Sequence, residues 1–166
     1  MEKKFRFYRN NEMEILSLEE LVETARPDLV GAPVMQSFGL EIDERQIFAE
    51  DVLELDATKI DKKELFWNSN LGQEMEKHEL EQCVVHLKSN QYQEMAYDVF
   101  LKKDGRFITE SEYYEIPKDD PEYAETDKPL CTTDTGIRFI RYLRSKGAVI
   151  VGNTFENNEL VPTIES

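Results

Sequence analysis

The chain alternates between two hydrophobic periods, and the switches between them mark its elements. KKFRFYRN sets Phe5 and Phe7 on one side and Lys4, Arg6 and Tyr8 on the other, a period of two that predicts a half-buried strand. SLEELVETARP changes period. Ser17 and Glu20 form a capping box, in which each side chain can satisfy the other's backbone amide. Leu18, Leu21, Val22 and Ala25 then make one apolar stripe, and Pro27 predicts a stop at Arg26. IFAEDVLEL, from Ile47 to Leu55, returns to period two. As one strand it would carry Phe48, Glu50, Val52 and Glu54 on one face and Ile47, Ala49, Asp51, Leu53 and Leu55 on the other.

The strongest sheet signal lies in the middle of the chain. EQCVVHLK and MAYDVFLK are strand segments joined around Ser89 and Asn90. Lys103-Asp104-Gly105-Arg106 then supplies a two-residue turn, because Asp-Gly accepts positive φ at both central positions and so matches the native strand twist. RFIT returns, which predicts an antiparallel meander. TDTGIRFIRYLRSKG predicts a helix, with Thr133 or Asp134 as cap, Ile137, Ile140 and Leu143 on one face, and Gly147 as a left-handed stop. AVIVGNTFEN reads as a last strand, with Val149 and Val151 facing one way and Ile150 the other. Gly152 there permits a bulge or a close backbone approach, and Asn157 suits the cap of a final helical turn.

Two stretches lack a period. Residues 56–77 read as a surface excursion, with a local helix candidate at DKKELFW capped by Asp61 and a loop at NSNLG. Residues 110–130 read as an acidic arm. Eight carboxylates between Glu110 and Asp127 face Lys118 alone, while Pro117, Pro121 and Pro129 break regular structure and Tyr113, Tyr114 and Tyr123 offer anchors. The expectation is one α+β domain over residues 1–166. It is mainly antiparallel, a partly closed barrel-like sheet with two or three short helices.

Composition then narrows the function classes. The 166 residues are 40% hydrophobic and 10% aromatic, enough to build a core, while 33% are charged. The opening MEKKFRFYRN has no apolar run after its positive charge, and nothing approaches the roughly 20 apolar residues of a membrane span, so a soluble protein is expected. Cys83 and Cys131 stand far apart, a usage typical of a reducing cytoplasm. The net charge of −15 opposes direct contact with a phosphate backbone and favours basic partners.

Three patches in the correct order carry a family resemblance. VIVGNTFENNEL, from Val149 to Leu160, resembles the Val-Ile-Gly-Asn-x-Tyr-Glu-Asn-Pro-Glu-Leu signature of the YopX family of phage and prophage proteins, with Phe155 for Tyr and Asn158 for Pro. MQSFGLEIDERQIFAEDVLEL, from Met35 to Leu55, is similar to the family's Met-Gln-x-x-Gly-Leu, turn and Ile-Tyr-Glu-Gly-Asp-Ile-Val pattern. Asp43-Glu44 replaces its Asn-Gly turn, and Glu50 replaces its Gly. KKFRFYRN resembles the family's opening strand. The region from Asp56 to Lys146 shows no match. The resemblance implies a compact, mainly β fold, a phage origin and the bacterial host cytoplasm. It brings no reaction, cofactor or catalytic residues.

Candidate chemistry is sparse. His78 and His86 lack zinc-ligand spacing, and Cys83 alternates with Val85 and Leu87 as a small core residue would. No nucleophile elbow or Gly-rich phosphate loop occurs, so neither enzyme activity nor a cofactor or metal is expected. The candidate binding residues are Arg138, Arg141 and Arg144, three apart on one helical face, where guanidinium groups could clamp an anion or a partner. The same stripe suits pairing with the acidic arm and complementing the helix C-terminus, which is the weightier reading among so many acids. The expected role is a non-catalytic interaction protein that meets a host protein through its acidic surface. The alternative is a binder of a nucleotide or metabolite in a pocket between the barrel and the helix of Ile137 to Leu143. Oligomeric state stays open.

Overall fold

A computed structural model describes residues 3–59, 80–89, 95–108, 119, 130–132 and 136–163. Ten strands in this region form two antiparallel sheets. The first sheet contains β1 (Lys4–Arg9), β2 (Glu12–Ser17), β3 (Val34–Ile42) and β4 (Arg45–Phe48), in the order β2-β1-β3-β4. The second contains β5 (Asp51–Asp56), β6 (Gln82–Ser89), β7 (Met95–Lys103), β8 (Arg106–Ile108), β9 (Leu130–Thr132) and β10 (Val149–Asn153). Its order is β10-β5-β6-β7-β8, with β9 also on β7. The fold is α+β and mostly antiparallel, with one sheet curled into a half-barrel.

Three two-residue turns close hairpins, and all three use left-handed backbone at both positions: Asn10-Asn11, Asp43-Glu44 and Asp104-Gly105. Such turns carry a twist that matches the strands they join. The Asp-Gly hairpin and the meander β6-β7-β8 therefore stand as the pattern predicts. The residues between β6 and β7, the helix candidate and loop of the 60–79 stretch, the acidic arm apart from Asp119 and Leu130, and the Thr133 and Asp134 caps lie outside the described residues, and Leu130, the arm's last residue, begins β9.

The main core lies on one face of the second sheet. Leu53, Cys83, Val85, Leu87 and Leu101 project into it, and α2 (Gly136–Ser145) seals it with Ile140 and Leu143, both fully buried. Gly147, at φ +95°, ends α2 as expected and turns the chain into β10. Ala148 is buried and Ile150 packs on the same core, so the C-terminal ribbon completes it.

Five expectations change on contact with the structure. The strand from Ile47 to Leu55 is two strands, broken at Ala49-Glu50, where Glu50 takes φ +74°. Phe48 packs with Met35 and Ala49, while Val52 packs with Val84 and Phe100 in a separate cluster. The buried face of β1 is the one that carries Arg6, at 7% exposure, while Phe5 and Phe7 are only half-buried. Strands β2, β3 and β9 have no expected counterpart.

Another change concerns α1 (Leu18–Glu23). It has its capping box, with Ser17 Oγ accepting from Glu20 N at 3.1 Å and Ser17 N donating back to Glu20 Oε1 at 3.3 Å. It ends at Glu23, short of Arg26, and its apolar stripe faces outward, with Val22 78% exposed. The excursion expected from Asp56 also starts later, since Asp56 belongs to β5 and Ala57 is buried in the 3-10 turn that follows.

Glu44 sits at φ +65° in its turn. Left-handed backbone costs a non-glycine residue roughly 1–2 kcal/mol, partly offset in a glycine variant by roughly 0.5–1 kcal/mol of extra unfolded-state entropy. Glu44→Gly is therefore expected to raise stability by about 0.5–1 kcal/mol, read as a higher denaturant midpoint at unchanged slope.

Candidate functional site

The two sheets share a corner, where several buried and half-buried polar side chains meet. Between β4 and β5 the chain turns through Ala49 and Glu50. Ala49 N donates to Gln36 O of β3 at 3.0 Å, and Glu50 N donates to Leu87 O of β6 at 2.7 Å, so adjacent amides are tied into different sheets. One side of the corner is held by an ion pair: Arg6 Nη2 lies 2.8 Å from Asp51 Oδ1, both side chains almost fully buried. Asp51 Oδ2 accepts from Phe48 N at 2.9 Å, and Arg6 donates to Ala49 O at 3.3 Å while its guanidinium covers the Phe48 ring. Burial pushes the Asp51 carboxyl above its ordinary value despite the Arg6 charge, which lowers it.

The other side of the corner is a half-buried polar cluster. Glu50 Oε2 accepts from Thr154 Oγ1 at 2.6 Å and lies 2.9 Å from His86 Nε2, which must carry the proton to serve an ionised carboxylate. Thr154 N also donates to Glu50 O at 3.0 Å. Lys88 and Asp98 pair beside it at 2.6 Å, since His86 and Lys88 share a face of β6 and Asp98 stands opposite His86 on β7. Burial raises the Glu50 carboxyl, but the hydrogen bonds from His86 and Thr154, with the charges of His86 and Lys88, outweigh it and leave the group below its usual value.

This arrangement is a latch. A nucleophilic relay would set the imidazole between the hydroxyl and the acid. Here the carboxylate occupies the middle, so the Thr154 hydroxyl donates to the acid and no base withdraws its proton. Cys83 is no alternative nucleophile, because burial alone pushes its thiol up to about 12. Among the described residues no group of three or more His, Cys, Asp or Glu side chains could hold a metal.

The Gly and Asn residues of the C-terminal segment serve the same corner. A Cβ on Gly152 would lie 2.7 Å from Leu160 Cδ1, so glycine admits the returning tail, whose Leu160 and Val161 cover Val52, Val84 and Phe100. Asn153 Oδ1 accepts from Phe155 N and Glu156 N at 3.1 and 2.9 Å, and Asn157 caps the last 3-10 turn through Glu159 N. Phe155 then reaches the first sheet, its ring 5.5 Å from that of Tyr8.

Beyond that small apolar cluster, the same face of the second sheet opens into a groove of about 540 Å³. Glu54, Asp56 and Glu81 line it against Lys102, with Val149 and Val151 along one wall. Glu54 is hydrogen-bonded to Gln82, and Lys102 lies over the Phe107 ring. The expected arginine stripe lies elsewhere, on α2. Arg141 and Arg144 are exposed, and Arg144 Nη1 donates to Glu41 O of β3 at 3.1 Å, while the side chain of Arg138 lies outside the described residues. Arg144 thus ties the helix to the first sheet. The acid groove was not read from the sequence. Its signal was period two alone: Glu54, Gln82 and Lys102 each sit on the outward face of a strand whose inward neighbours are apolar.

Compared with known proteins, the chain matches no family model, no curated protein and no solved structure. Its class is therefore defined by its own geometry: an α+β half-barrel with an internally paired polar corner and an acid-lined groove. No helix among the described residues is long and apolar enough to cross a membrane.

Two outcomes test the corner. Arg6→Met leaves Asp51 buried without its countercharge and is expected to cost about 3–5 kcal/mol in chemical denaturation. Adding Asp51→Asn to that variant should recover part of the loss, because the orphaned charge is then gone. For Glu50 the folded value lies below the unfolded 4.5. Its stabilisation is therefore complete above that pH and is lost as pH falls through the lower folded value. Wild type and Glu50→Gln should differ in stability at neutral pH and converge in acid; a pH-independent gap would remove the latch.

Proposed function

We propose that this chain is a YopX-like protein of phage or prophage origin that works in the bacterial host cytoplasm, without catalysis, by binding a host protein through its acidic surface. The observation that carries the binding role is the groove beside β10. It is open, lined by three carboxylates against one ammonium, and set in a chain of net charge −15. Clustered carboxylates draw basic partners and slow the approach of polyanions. The titratable groups of the corner are consumed by one another, which favours binding over chemistry.

The family reading draws support from the backbone. Asp43 and Glu44, at the place of the family's Asn-Gly turn, both adopt left-handed conformations, at φ 51° and 65°. Glu50, at the place of its Gly, sits at φ 74°. Positions with positive φ are those at which glycine and asparagine belong. The C-terminal signature also pairs with β5, the strand that ends the second patch.

The alternative, a nucleotide or metabolite held between the sheet and the helix of Ile137 to Leu143, meets a filled interface at Ile140 and Leu143. No observation favours it.

The test is affinity capture. Immobilised full-length chain is expected to retain a basic protein from bacterial lysate at low salt and release it at high salt. Replacing Glu54 and Glu81 together with Lys should abolish retention. Retention indifferent to both salt and charge reversal would end the acidic-surface reading. A saturable thermal shift with one nucleotide, and no retained protein, would instead establish the small-ligand role.

A further inference from the structure

The groove has a wall that can do more than attract charge. β10 ends the second sheet, and its far edge is paired by no described strand. Val149 and Val151 are 43% and 39% exposed along it. A free edge presents main-chain donors and acceptors to any extended segment of matching length. The register supplies specificity. Val149 stands opposite Glu54, so both project from the groove face. An incoming residue opposite Val149 would lie two strand spacings from Glu54, about 9–10 Å. A Lys or Arg side chain spans that gap with its methylenes over Val149 and its charge at the carboxylate.

Resting on the acidic-surface reading, the geometry points to β10 as the docking edge for a short extended segment of a basic partner, alternating cationic and small apolar residues and adding one strand beside Val149. Charge complementarity selects this occupant. The groove's three acids favour cations, whereas a second copy would bring another −15 to the same edge. The bulge between Ile150 and Gly152 limits regular pairing, so the added strand is short.

The full-length chain, isotope-labelled for NMR, is titrated at low salt with a capped six-residue peptide of alternating Lys and Val. A second peptide has the same sequence but is N-methylated at every second amide along either edge in turn. Saturable shifts at the Val149–Val151 amides and at Glu54 are expected, weakened at least about tenfold by N-methylation of one edge and by Glu54→Lys. Equal binding of the N-methylated peptides would overturn strand addition while leaving the acidic-surface reading intact. Failure of every peptide to shift any groove residue would remove both. Shifts of β10 that depend on protein concentration without peptide would assign the edge to a second copy and overturn the proposal.

Discussion

The fold depends on one corner being held at a fixed angle, and the Arg6–Asp51 pair holds it. β4 ends in one sheet and β5 begins in the other, with only Ala49 and Glu50 between them. Two residues cannot set an angle between sheets by themselves. Asp51 does so by capping the amide of Phe48 behind it while bonding Arg6, which belongs to the strand two places away across the first sheet. Removing two charges from water costs several kcal/mol per ion, and their attraction repays this only when the remaining hydrogen bonds are satisfied. The Phe48 amide, the Ala49 carbonyl and the Phe48 ring supply that satisfaction. Burial raises the Asp51 carboxyl while the Arg6 charge lowers it, so desolvation and attraction oppose one another at this pair. The pair therefore contributes little net stability when intact and a large penalty when broken, which is the behaviour of a positioning device.

The opposite side of the corner fixes a different relation. Glu50 joins His86, 36 residues away, and Thr154, 104 residues away. The latter closes the C-terminal ribbon onto β5, and Phe155 carries it on to Tyr8. A left-handed glutamate is strained backbone, and glycine would relieve it. Glutamate brings what glycine lacks, a carboxylate that fixes a third strand. Glu50 thus holds by side-chain bonds a turn that a glycine would adopt by conformational freedom.

Much of this was legible, for local reasons. The capping box at Ser17, the Asp104-Gly105 hairpin and the alternation of Cys83, Val85 and Leu87 each depend on neighbours within a few residues. The corner was not legible. Period two runs unbroken from Ile47 to Leu55, because Phe48 and Val52 are both apolar although they enter different clusters. Sequence placed Arg6 on a face with Lys4 and Tyr8 but could not show its burial, because burial of a charge depends on a partner 45 positions along the chain. Strand β2 was hidden by Asn10-Asn11, a turn pair without glycine, and by Glu12 and Glu14 in its first half. The arginine stripe drew attention because rare charge stands out in sequence. The groove is built from common residues on three strands, and only pairing brings them together.

The second sheet's outer face is divided by its own packing. The small cluster of Val52, Val84 and Phe100, covered by Leu160 and Val161, separates the latched corner from the acid groove. Polar groups at the corner are satisfied in pairs, Glu50 by hydrogen bonds with His86 and Thr154 and Lys88 by Asp98, whereas Glu54, Asp56 and Glu81 outnumber Lys102 at the groove. Apolar cover between them keeps the two sets from exchanging partners. Gly152 matters to both ends, because the close passage of Leu160 over it seats that cover and the adjacent bulge bends the edge strand beside the groove. The C-terminal tail is thus the element that covers the apolar cluster between the paired polar groups and the open, acid-lined groove.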